Sequence, residues 1–265
     1  MKFGEINTAD AVGAVLAHSH KLNSKTLKKG KILNIQDIED MQKEGVTRVF
    51  AARPESNELW EDEAAAILAN SASSSNIVIE KPLNGRCNLN ASCSGLFSVD
   101  TEKVTRFNLA NEAYCIATLP PNTPVEKNQR VASIKIIPFA VPTHLIEQAA
   151  QQTKKMGELI NVYPYQPQRV GLIQTVLPGT QPEGLNKTTI AINQHITAVN
   201  CKLVAEHHCA HDSNDISDAI NHILTKDLDL LMIIGASSTI DQRDIIPISI
   251  KYAGGQIDHF RLPTD

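Results

Sequence analysis

The sequence predicts an α/β protein, with a parallel-sheet module at its C-terminal end preceded by an irregular, β-rich α+β domain. Three observations carry that expectation. From Arg169 onward, short apolar stretches alternate with helix-patterned ones, the rhythm of βαβ units around a parallel sheet. Between Ile77 and Val141 the chain instead breaks into short β-type segments divided by Pro, Asn and Gly, which suits an irregular and barrel-like region. Finally, 265 residues with 42% apolar and 20% charged content suit one large or two ordinary globular domains. The proline-punctuated run Tyr163-Pro164-Tyr165-Gln166-Pro167-Gln168 reads as extended chain between them, so the expected domains are 1–167 and 168–265.

In order, Ala14 to Ala17 is a short apolar run, and Leu27 to Leu33 turns at Gly30 before resuming as strand. Ile35, Ile38 and Met41 recur at three-residue spacing, with acids at Asp37 and Glu39 and a glycine stop at Gly45, which predicts a short amphipathic helix. Val46 to Ala52 reads as a strand. Glu61 to Ala72, rich in alanine, reads as a helix that decays into Ser73-Ser74-Ser75. Ile77 to Ile79, Gly95 to Val99 and Val131 to Ile137 are the β-type segments, and Pro142 to Gly157 is a polar helix. Past the bridge come a strand over Val170 to Val176, a helix over Leu185 to Val199 and a strand over Lys202 to Ala205. A helix over Ser213 to Thr225, with Ile216, Ile220, Ile223 and Leu224 on one face, and a strand over Asp229 to Ile234 complete the pattern.

Net charge of −4 and only short basic runs (Lys28-Lys29, Lys154-Lys155) speak against binding to a nucleic-acid backbone, which needs clustered cations. No apolar run approaches bilayer-spanning length and the first residues lack a secretory core, so no membrane partner and a cytoplasmic location are expected. The five cysteines form no CxxC pair and are odd in number, against both a disulfide framework and a zinc knuckle.

In an open parallel sheet, ligands bind beyond the carboxyl ends of the strands. Three loops fall there. The first, Gln174 to Thr180, offers Thr175, a Pro178-Gly179 turn and Thr180 as donors to a phosphate or carbonyl. The second, Glu206 to Asp212, feeds a helix whose cap is Asp212 or Ser213. The third, Gly235-Ala236-Ser237-Ser238-Thr239-Ile240-Asp241-Gln242-Arg243-Asp244, combines small residues, consecutive hydroxyls and a following helix start with Pro247 in its first turn, the chemistry of an anion cradle. Arg243 there can neutralise phosphate and Asp244 can bind Mg²⁺. The competing reading is an ordinary strand-to-helix connection with hydroxyl caps and a surface Arg-Asp pair. His207, His208, Cys209 and His211 carry ligand atoms, but neighbouring residues point in different directions and a tetrahedral site draws on separated segments. Cys209 has no motif for a nucleophile. The P-loop spacing is absent although Gly179, Gly184 and Lys187 evoke it, no GxGxxG occurs, and Ser92 and Ser94 beside Gly95 lack the context of a nucleophile elbow.

Together these loops resemble the molybdopterin-binding (MoaB/Mog-type) domain shared by molybdopterin adenylyltransferases and molybdenum-insertion enzymes. That family's third-strand loop has the form GG-T/S-G leading into R-D-x-T-P; here Gly235 to Thr239 leads to Arg243-Asp244-Ile245-Ile246-Pro247, with Ala, Ser and Thr in place of glycines. Asp212 stands where the family carries an Asp opening the helix after the second strand, while the usual Ser-Asp opening of the first loop is missing. Gly30 to Leu33 and Gly45 to Val49 resemble a "kGxxL … GixxV" pattern of the insertion enzymes. The whole chain is similar to bacterial two-domain molybdopterin-binding proteins, some of them joined to a molybdenum cofactor cytidylyltransferase.

The resemblance implies a three-layer parallel-sheet domain over 168–265 and molybdopterin as ligand. The ligand would be held by Thr175, Pro178, Gly179, Thr180, Gly235, Ala236, Ser237, Ser238, Thr239 and Arg243. It further implies Asp212 and Asp244 as the pair that handles metal and phosphoryl transfer, with Mg²⁺ and ATP if the chain is catalytic. A role in molybdenum cofactor biosynthesis or handling follows, with maturation proteins as partners and a homo-oligomeric assembly. In those proteins the module continues beyond the end seen here, Pro263-Thr264-Asp265, so a chain shortened at its C-terminus is expected. Two further readings are an adenylyltransferase and a non-catalytic interaction or oligomerisation domain.

Overall fold

The computed structural model describes residues 1–260, which excludes the terminal Pro263-Thr264-Asp265. The chain is mixed α/β, with seven α-helices among the described residues and strands distributed over several small sheets. It divides into two compact units, Met1–Pro164 and Tyr165–Asp265.

The first unit opens with a three-stranded antiparallel sheet in which Arg48–Arg53 lies between Lys2–Asn7 and Val15–Leu16. The helix Ile35–Lys43 forms where the three-residue spacing placed it, and Ile38 and Met41 turn inward to join Leu16, Leu22, Leu27, Leu33 and Val49 in a separate apolar core. Its start is fixed by a capping box, in which the Asn34 side chain accepts from the Asp37 N–H at 2.9 Å while Asp37 accepts from the Asn34 N–H at 3.2 Å. Asp37 is buried, and its Oδ1 also receives Lys31 Nζ at 2.6 Å and Lys25 Nζ at 3.0 Å. Burial opposes its ionisation, yet the hydrogen bonds from Lys31, Lys25 and the Asn34 N–H prevail and hold its pKa below the ordinary carboxylate value.

The rest of this unit is built on a four-stranded antiparallel sheet ordered Tyr114–Thr118, Arg130–Ile136, Arg86–Ala91, Ile77–Ile79. The helix Glu61–Ala72 lies against it. Its fully buried face of Ala64, Ala65, Leu68, Ala69 and Ala72 is mostly methyl groups, which lets helix Thr143–Met156 and the strands approach closely. A further sheet places Gly95–Val99 between Thr123–Val125 and Ile160–Pro164. Thus Tyr163 and Pro164, expected in a bridge of extended chain, are paired strand residues opposite Leu96 and Gly95. A helix over Thr101–Ala110, inside the stretch expected to be β-rich, is capped by Asp100, whose side chain accepts from the Lys103 N–H.

The second unit holds one small parallel sheet, with Arg169–Val176 in the centre, Lys202–Ala210 on one side and Leu230–Ile234 on the other. Side chains alternate along the central strand, so Val170 and Ile173 serve different faces. Ile173 packs with Ile216, Ile220 and Ile223 of helix Ser213–Ile223 and with Ile245, Ile246 and Ile250 of helix Ile245–Tyr252. Val170 packs with Ile192 and Ile196 of helix Pro182–Ala198 and with Leu203 and Met232. The strand Leu230–Ile234 has the central strand as its one neighbour among the described residues, and Leu230 is 47% exposed.

One boundary requires correction. The second strand runs on to Ala210 rather than ending at Ala205, so Glu206 to Ala210 are strand and not loop. The physical reason lies in the partner: Glu206, His207, His208, Cys209 and Ala210 pair with Leu172 to Val176, and a central strand of eight residues recruits neighbours of weak β propensity.

Candidate functional site: the strand ends of the parallel sheet

All three carboxyl-terminal strand ends meet at Thr175. Its side chain is buried, and its Oγ1 accepts a hydrogen bond from the Ala236 N–H at 2.7 Å and shares another with His211 Nδ1 at 2.8 Å. One hydroxyl on the first strand therefore ties together the segments that follow the second and third. Gly235 sits at the same junction. A Cβ on it would lie 2.7 Å from the Ser237 carbonyl oxygen and 2.7 Å from Ile246 Cδ1, so the loop can fold back this tightly only without a side chain there. His211 Cε1 is 3.7 Å from the same point.

Asp212 and Asp244 each stand at the start of a helix. Asp212 caps Ser213–Ile223, its Oδ1 accepting from the Asn214 N–H at 2.9 Å and the Asp215 N–H at 3.4 Å. Asp244 caps Ile245–Tyr252 through Oδ1, which accepts from the Ile245 N–H at 2.7 Å, while its Oδ2 accepts from the Ile240 N–H of the preceding loop at 3.1 Å. Those two N–H groups, with a smaller contribution from the charge of His211, hold the Asp244 carboxyl below its ordinary pKa. Both acids thus have a structural use. Among the described residues no group of three or more His, Cys, Asp and Glu converges as a metal site would require.

The remaining candidates divide. Ser237 and Ser238 are exposed and Thr239 is half-buried, so the hydroxyls of the third loop stand at the surface beside the Thr175 junction. Arg243 is turned outward at 89% exposure and pairs with Asp241, Nε to Oδ1 at 2.8 Å. Pro178, Gly179 and Thr180 form a local turn, in which Gly179 has φ +90° and the Thr180 hydroxyl accepts from the Leu177 N–H and donates to its carbonyl.

The histidines and cysteine of the second strand point to alternate faces, as strand geometry demands. Glu206 and His208 share one face and meet at 2.8 Å, Oε1 to Nε2, while Glu206 Oε1 also receives Thr189 Oγ1 at 2.6 Å and Gln174 Nε2 at 3.1 Å. Burial resists the Glu206 charge, but these three partners lower its pKa on balance. His207 stands on the other face against His222, ring centroids 5.5 Å apart. Burial, and secondarily Asp215, push the Cys209 thiol up, the opposite of an activated nucleophile. The Gln174–Glu206–His208–Thr189 group went unnoticed in the sequence, although Glu206 and His208 are two apart on a strand and must share a face.

A family model described as a domain of unknown function, DUF8806, matches residues 5–53. That segment contains the N-terminal three-stranded sheet almost entirely, the capped helix Ile35–Lys43 and the separate apolar core around Leu16 and Met41. No curated protein matches the chain.

Proposed function

We propose that the second unit is a three-layer, parallel-sheet molybdopterin-binding module and that the chain binds molybdopterin in molybdenum cofactor biosynthesis or handling. The observation that carries this reading is the Thr175 junction. It draws the Gly235-Ala236-Ser237-Ser238-Thr239 loop onto the strand ends, where hydroxyls and a helix start suit an anionic, phosphate-bearing ligand. The residues fit such a group, since Ser237 and Ser238 are exposed beside a glycine that brings backbone close. Cofactor-maturation proteins and a second copy of the chain are the partners this role implies.

Adenylyl transfer from Mg-ATP to the molybdopterin phosphate is the second reading. What favours it is that Asp212 accepts both cap bonds through Oδ1, leaving Oδ2 free to face a cation. Magnesium would supply charge neutralisation there, and the chain's own part would be to position phosphates with Ser237, Ser238 and Thr239.

Titrating the purified chain with molybdopterin, then adding Mg-ATP and assaying pyrophosphate, tests both readings. Saturable binding without pyrophosphate is the expected result; no binding would sink the proposal, and pyrophosphate release would promote the second reading over the first. Asp212→Asn preserves a good cap but removes the charge, so it separates the roles. We expect it to leave molybdopterin affinity within about twofold, a shift of roughly 0.4 kcal/mol, as a pure cap would.

A further inference from the structure

The first unit carries a cleft of about 350 Å³ lined by Lys29, Gly30, Glu61, Asn84, Lys135, Ile137 and Phe139. A volume of this order suits a small organic ligand. Its floor is a built arrangement. The Asn84-Gly85 turn has positive φ at both residues, 52° and 70°, and it is clamped to the start of helix Glu61–Ala72 by the Gly85 N–H donating to Asp62 Oδ1 at 2.6 Å. A Cβ on Gly85 would lie 2.9 Å from the Ile136 carbonyl oxygen, and its φ of 70° also favours glycine at this close approach to the Glu61–Lys135 pair. Lys135 Nζ donates to the Asn84 carbonyl at 2.5 Å and lies 3.6 Å from Glu61 Oε2. Lys29, by contrast, has no carboxylate within 4.0 Å among the described residues, and its ammonium hangs over the Phe139 ring at 5.7 Å.

The opposite character is aromatic. Only six phenylalanines occur in the chain, yet three are linked in one cluster whose member Phe139 lines the cleft: Phe3 stacks on Phe139 at 6.4 Å and meets Phe50 edge-on at 5.6 Å. Phe3 is 54% exposed and Ile137 59%, so the apolar wall faces solvent rather than the core. Along the lining two lysines face one glutamate, whose side chain is 14% exposed.

We propose that this cleft binds a small aromatic anion, a planar ring bearing a phosphate or carboxylate, with the ring against Phe139 and Ile137 and the charge on Lys29. The unpaired ammonium supplies the charge-assisted bond, and Lys135, held by Asn84 and Glu61, adds fixed positive potential. This site lies wholly within Met1–Pro164, so its fate is independent of the molybdopterin reading.

The test uses the full chain and 1-naphthyl phosphate, with inorganic phosphate and 1-naphthol as separate arms, followed by calorimetric titration and amide chemical shifts. Saturable binding of 1-naphthyl phosphate, tighter than either part alone and shifting Gly30, Asn84, Gly85 and Ile137, is expected. Lys29→Met should weaken it about tenfold while Lys29→Arg retains it, since the bond depends on a cation at that place. Lys29 is exposed, so neither variant disturbs the core, and unchanged amide spectra away from the cleft check that both are folded. Absence of saturation at millimolar ligand, shifts confined to other residues, equal binding of inorganic phosphate, or an unaffected Lys29→Met would each overturn the proposal.

Discussion

Thr175 illustrates how much one hydroxyl can organise. Replacing it with valine keeps the shape but removes the acceptor of the Ala236 N–H and the link to His211, both part-buried, a loss of about 1 kcal/mol. Denaturant unfolding should report that loss, and hydrogen exchange should show faster exchange at the Ala236 amide; Thr175→Ser should preserve both. Asp229 offers a second check at this scale. The Arg169 guanidinium, followed by the Arg169 N–H, pulls its pKa from the ordinary 3.8 to about 2. Because the folded value is depressed, the interaction favours folding above pH 4 and fades as pH falls toward 2. A carboxyl-carbon NMR titration should therefore find Asp229 midway near pH 2, returning toward its ordinary value in Arg169→Leu. The pair is exposed, so added salt should shrink the shift.

Helix starts are where the fold leans most on single side chains, with Asn34, Asp100, Asp212 and Asp244 all accepting from backbone N–H groups of the first turn. Asp212→Ala should cost about 1 kcal/mol of stability in thermal or chemical unfolding, whereas Asp212→Asn should cost little. Much of this was legible in the sequence, because caps and apolar spacing are local: Glu61–Ala72 and Ile35–Lys43 stand where alanine content and the Ile35, Ile38, Met41 rhythm placed them. Helix Thr101–Ala110 was obscured by the β-type segments on either side, although Asp100 marks its start. The extension of the second strand to Ala210 was not legible, since Glu206, His207 and His208 have no strong β preference and follow their partner across the ladder. The strand-end loops could be picked out by composition, but not the Thr175–His211 contact, which joins residues 36 apart in the chain and exists only once three strands align.

For the molecule as a whole, each of the two units carries apolar clusters of its own. Calorimetry should accordingly resolve more than one unfolding transition. Leu89→Ala, at a fully buried position of the first unit, and Ile173→Ala, equally buried in the second, should each lose about 2–5 kcal/mol and each lower a different transition. A single transition shifted by both would mean that the units unfold as one. The residues matched by the family of unknown function enclose the core around Leu16 and Met41, so that segment is the natural place to look for a still smaller cooperative block.

The strand Leu230–Ile234 has a consequence for handling the protein. Its sequence Leu-Leu-Met-Ile-Ile has no charge or proline to discourage another chain from adding to the side left unpaired among the described residues, and such edges template intermolecular ladders. Solubility should consequently be limited by concentration more than by net charge. A lysine introduced at Leu230, the residue already facing water, is the substitution by which that tendency would be relieved without disturbing the loops at the strand's other end.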